Sequence, residues 1–99
     1  MSQDKLEGIK KDILGQISRY YSRVKPYIND KDFVKAHFEM EDIVSYLDLK
    51  EREVWSNAIP SGPNMIITAR ILLKNLVNGI KPDDSMERFE AYASQVKMA

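Results

Sequence analysis

The sequence predicts an all-α fold, a single-domain antiparallel four-helix bundle. Three observations predict it: apolar residues recur at spacings of three and four, proline and glycine punctuate the chain at a few internal points, and no stretch alternates as a strand would. With 99 residues, 43% of them apolar, the chain can build one core and not two, so a single domain over residues 1–99 is expected.

The first helix is predicted over 3–25, where Leu6, Ile9, Ile13, Ile17, Tyr20 and Val24 form one stripe. Pro26 carries no N–H and disfavours helix at Lys25, so the helix should end or kink there. Gly8 and Gly15 lie seven apart on its back face. They either face solvent, weakening the helix by roughly 1 kcal/mol each relative to alanine, or admit another backbone.

The second helix is predicted over 30–56. Asn29 is its expected N-cap, Asp30 and Asp32 favour the positive end of the dipole, and Ile28 can staple onto Phe33. Phe33, Ala36, Met40, Ile43, Val44, Leu47, Val54 and Trp55 make its inward stripe. Val34, Phe38 and Leu49 fall on the flank, as cover for a neighbouring helix or as a docking ridge.

A loop follows at NAIPSGPN, residues 57–64, because Pro60, Gly62 and Pro63 cannot continue a regular helix. The third helix, 65–79, has no acidic residue. Met65, Ile66, Ala69, Leu72, Leu73, Leu76, Val77 and Ile80 fall within an arc of roughly 140°, the breadth of a core-facing helix. Ile67 and Ile71 lie outside that arc. Gly79 and Pro82 end the helix, and Asp84 with Glu87 predicts a capping box for a fourth helix over 84–97, whose inward stripe is Met86, Phe89, Ala93 and Val96.

Net charge is zero, but it alternates in blocks: +3 over residues 1–25, −4 over 26–53, +3 over 54–82 and −2 over 83–99. Sequential helices therefore attract, and a uniformly basic nucleic-acid face is disfavoured. No apolar run reaches the roughly 18 residues of a membrane span, and MSQDKLEGIKKDILGQ lacks a signal-peptide core and cleavage site, so a cytoplasmic location without membrane contact is expected.

The chemistry is mostly negative. Cysteine is absent, which excludes disulfides and thiolate sites. His37 is the only histidine and no Glu-x-x-His pair surrounds it, against a di-metal bundle; a boundary position is expected for it. Glu39, Glu41, Asp42, Asp48, Glu51 and Glu53 spread around a helix rather than converging on a pocket, so they read as solvated charges. PSGPN lacks the lysine-hydroxyl pair of a phosphate loop. No catalytic residue, metal or cofactor is therefore assigned.

Tyr20, Tyr27, Asp32-Phe33-Val34-Lys35-Ala36 and Tyr46-Leu47-Asp48 give a pattern that resembles an uncharacterised family of small archaeal helical-hairpin proteins, over less than a third of the chain. The acidic-aromatic start and Ala36 also look like tetratricopeptide or HEPN helical pairs. Lys31 stands where those pairs would have a glycine, and the arginine-histidine nuclease motif of catalytic HEPN proteins is missing. The resemblance implies helices, not catalysis. In size and architecture the chain is also similar to bacteriocin-immunity proteins, antiparallel four-helix bundles with a basic later region.

The expected function is that of a non-enzymatic interaction protein, an adaptor or accessory subunit that binds a larger protein or a second copy through helices two and three. The candidate partner-binding residues are Ile67, Ile71, Arg70 and Lys74 on the basic helix, and Val34, Phe38 and Leu49 on the acidic one. If the two apolar sets face each other, they close the bundle instead. A nucleic-acid-associated accessory subunit of an information-processing complex, with Arg19, Arg23, Arg70 and Lys74 on phosphates, is the alternative from another class; a bacteriocin-immunity-like bundle is the third reading.

Overall fold

The computed structural model describes residues 3–56 and 59–98, with side chains described over 6–55 and 59–96. The protein is all-helical, with no strand among the described residues. Its elements are α1 (Gln3–Arg19), a π-turn (Tyr20–Val24), α2 (Lys25–Asn29), α3 (Phe33–Leu49), α4 (Glu51–Ser56), α5 (Gly62–Val77) and α6 (Asp83–Met98). Asn57 and Ala58 of the expected loop lie outside the described residues.

The first helix does not stop at Lys25. Pro26 sits in the first turn of α2, and the Lys25 N–H reaches back five residues to the Tyr20 carbonyl. One widened turn changes the hydrogen-bond register before the residue that cannot donate, so the chain stays helical through Pro26 to Asn29. The Asp32 N–H donates to the Tyr27 carbonyl at 2.8 Å and the Lys31 N–H to the Ile28 carbonyl at 2.9 Å, which closes a Schellman motif. Its C′ residue is Lys31, left-handed at φ 60°. The cap of the next helix is accordingly Asp32 and not Asn29: the Asp32 carboxylate accepts from the Lys35 N–H at 3.2 Å.

The predicted second helix divides at Lys50, whose N–H is shared between the carbonyls of Tyr46 and Leu47. That tightened turn re-aims α4. Val54 remains fully buried, but Trp55, expected on the inward stripe, is 60% exposed.

Gly62 and Pro63 belong to the helix rather than to the loop, with Pro63 at the N-terminal turn that proline suits. Gly62 is buried because Val54 and Ile59 lie directly against it. Gly79, left-handed at φ 66°, ends α5 in a second Schellman motif, in which the Ile80 N–H donates to the Asn75 carbonyl at 2.9 Å. Helix α6 begins one residue before its predicted start. Asp84 and Glu87 lie inside it, where Asp83 and Asp84 give an acidic first turn in place of the expected capping box.

One apolar cluster joins these elements. Ile13, Tyr20, Met40, Ile43, Met65, Ala69, Leu72 and Phe89 are at or near zero exposure within it. Helix α5 packs on α6 and α3. The α3/α5 pair runs antiparallel: Arg70 reaches Asp48 and Glu51 near the end of α3, while Phe33 at its start lies across a shallow opening from Lys81, Pro82 and Asp83. Each buried aliphatic group of Val, Leu or Ile size contributes roughly 1.5–3 kcal/mol relative to exposure, which places the fold's stability in this cluster.

Candidate interaction surface

Ile67 and Ile71, one helical turn apart, are 46% and 47% exposed. They stand on the outer face of α5, while Ile66, Ala69 and Leu72 turn inward. On α3 the equivalent pair is Val34 and Phe38, at 66% and 62%, with Leu49 near the far end at 80%. Neither set covers the other helix, so the alternative in which the two sets close the bundle against each other is corrected: both face out. The core arc of α5 is also narrower than predicted. Val77 and Ile80, expected inside it, are more than half exposed, since α5 ends at Val77 and the chain turns away at Gly79.

The charged members of the candidate set separate into two kinds. Arg70 is held within the molecule. Its guanidinium donates to Asp48 from Nε at 2.8 Å and pairs with Glu51, and those two hydrogen bonds, Glu51 first, raise its pKa above the ordinary arginine value. Arg19 is held likewise by Glu39 and Asp42, each at 3.0 Å, with its pKa raised chiefly by Glu39. Lys74 is exposed on the α5 face and forms no ion pair among the described residues. Glu41, seven residues after Val34, faces outward on α3 with His37 Nε2 3.2 Å away. His37 is half-buried at the helix boundary, its ring 5.0 Å from that of Phe38.

On the opposite side, α1 and α6 leave an open apolar groove of about 470 Å³ lined by Leu14, Ile17, Ser18, Tyr21, Ala93 and Ser94. Beside it the buried Tyr20 hydroxyl donates to Glu90 Oε2 at 2.7 Å, and Lys25 Nζ donates to Oε1 at 2.9 Å. Burial first, and the bond to Glu90 second, push the Tyr20 phenol well above its ordinary value. The sequence gives no signal for this triad, because its members are separated by 65 and 70 positions. Both carboxylate oxygens already have partners, which makes Glu90 a cross-brace between α6 and the π-turn region.

Among the described residues no group of three or more histidine, cysteine, aspartate or glutamate side chains could hold a metal. No helix among them is long and apolar enough to cross a membrane. No protein-family model matches the chain, and no curated protein or solved structure matches it significantly.

Proposed function

We propose that this protein is a non-enzymatic interaction module, an adaptor or accessory subunit that docks on another protein surface through the outer faces of α3 and α5. We read α1 through α2, α3 with α4, α5, and α6 as four antiparallel rods, two of which present this face. The observation that carries the reading is the outward position of two apolar pairs, Val34 with Phe38 and Ile67 with Ile71, on adjacent helices. Apolar side chains at i and i+4 on an exposed helix face are the anchors by which helices recognise partners. Glu41 and Lys74, each one turn beyond its pair, add opposite charges that set orientation.

The nucleic-acid reading has weaker support. Two of its four cations, Arg19 and Arg70, each grip a pair of carboxylates inside the molecule. Using them on phosphates would mean breaking those bridges.

The test is the double variant Ile67→Asp/Ile71→Asp, with helicity and thermal unfolding measured to establish that it folds. Loss of partner capture by a folded variant supports the docking role. Unchanged capture refutes it.

A further inference from the structure

We infer that the occupant of the α3/α5 face is a second copy of this chain, docked about a two-fold axis parallel to the two helices. The inference rests on the docking role proposed above and adds the identity of the partner. Along the outside of α3 the apolar Val34 and Phe38 are followed by Glu41 and then Leu49, with Lys35, Asp42, Ser45 and Asp48 also exposed along the helix. Along α5 the order is apolar, basic, apolar: Ile67 and Ile71, then Lys74, then Val77 with Ile80 just beyond the helix.

The two helices are antiparallel neighbours, so such an axis sets α3 of one copy against α5 of the other at the same height and in opposite directions. The Arg70–Asp48 contact fixes that height within the chain. Carried across the axis, it brings Leu49 between Ile67 and Ile71 of the second copy and Phe38 toward Val77 and Ile80. Glu41 comes within one helical turn of Lys74. Every contact occurs twice, as an isologous interface requires. The homotypic alternatives are worse: α3 on α3 brings Glu41 toward its own copy, and α5 on α5 sets Lys74 near Lys74.

The contacts span about 22 Å of helix from Val34 to Leu49. A standard interface covers roughly 800 Å² on each partner. The total surface here is 6040 Å² and the molecule measures 43 × 22 × 19 Å, so its long side can supply that area.

The experiment is sedimentation velocity on the full chain from about 5 to about 500 µM, comparing wild type with Glu41→Lys, Lys74→Glu and the Glu41→Lys/Lys74→Glu swap. All four chains are checked for helicity, and His37→Gln controls for loss of the His37–Glu41 contact. Wild type should dimerise, each single reversal should raise Kd by about tenfold or more, and the swap should recover most of the loss. A wild type monomeric throughout, or a dimer whose single reversals are neutral or whose swap does not recover, overturns the inference. A monomeric wild type that still loses another partner on Ile67→Asp/Ile71→Asp overturns self-pairing alone. A dimer insensitive to Ile71→Asp and to both charge reversals counts against the α3/α5 face as a whole.

Discussion

Alanine at Gly62 should destabilise the protein, whereas the same substitution at Gly8 or Gly15 should stabilise it. A Cβ on Gly62 would lie 2.5 Å from Val54 Cγ1 and 3.4 Å from two atoms of Ile59. Val54 and Ile59 are 0% and 2% exposed, so neither can swing into solvent to make room. Overpacking of this kind costs about 1–3 kcal/mol, and alanine's helix preference, at most about 1 kcal/mol and less in a first turn, offsets only part of it. The net loss is about 1–2 kcal/mol, which lowers Tm by roughly 5–15 °C in a chain of this length. A Cβ on Gly8 or Gly15 meets nothing within 4 Å, so each alanine there should add up to about 1 kcal/mol. Thermal and urea unfolding of the three variants read the signs directly. The cycle with Val54→Ala isolates the contact: removing Cγ1 should relieve the Gly62→Ala clash, with a coupling of about 1 kcal/mol or more. A Gly62→Ala protein as stable as wild type, or a strictly additive cycle, would refute the reasoning.

Lys31→Gly should stabilise by about 1 kcal/mol, because Lys31 holds a left-handed C′ position at φ 60°, and Gly79→Ala should destabilise by a similar amount for the converse reason; urea midpoints check both. Tyr20→Phe should cost about 1–2 kcal/mol in chemical denaturation, by removing a buried hydrogen bond to a carboxylate. Tyr20 is also expected to make stability fall at alkaline pH. Its folded pKa is raised above the ordinary 10.0, so above that pH the unfolded chain releases the proton and the folded one keeps it. The stability is intact below pH 10 and lost as pH climbs toward the folded value, and unfolding midpoints at pH 9 and pH 11 should show a decline that Tyr20→Phe reduces. Arg70→Met should cost at most about 1 kcal/mol and become milder in high salt, since Arg70, Asp48 and Glu51 are each about 40% exposed.

Much of the core was legible because it is periodic. Ile9, Ile13, Ile17, Tyr20 and Val24 are all buried, as their spacing predicts, and so are Met86, Phe89, Ala93 and Val96. Local backbone chemistry was less legible. Of the end or kink expected at Pro26, the chain shows no end but a π-turn just before it, which absorbs the missing N–H, and Asn29 lost the cap to Asp32 because the turn at Lys31 lies between them. Trp55 was misplaced for a geometric reason: a single stripe assumes a straight helix, and the shared hydrogen bonds at Lys50 bend this one. For the candidate surface, periodicity set Ile67 and Ile71 apart from the core arc. It could not show which charges beside them are already paired, since Arg70–Asp48 and Arg19–Asp42 join residues more than twenty positions apart.

That pairing changes the meaning of the alternating charge blocks. Read along the chain, the blocks suggest attraction between sequential helices, and the folded protein realises it at two junctions: Arg19 of the first block on Glu39 and Asp42 of the second, and Arg70 of the third on Asp48 and Glu51 of the second. Each junction joins one arginine to two carboxylates, which leaves excess negative charge on α3. Among the described residues Lys74 has no such partner, and Glu41 pairs with His37. The same electrostatics that aligns α3 with α5 therefore leaves Glu41 and Lys74 outside those two junctions, beside apolar residues the core did not take, with Lys35 and Asp42 also exposed along α3. Solubility alone would favour many charges there. On α5, Arg70 is about 40% exposed but tied to Asp48 and Glu51, which leaves Lys74 as the cation outside these bridges, between Ile71 and Val77.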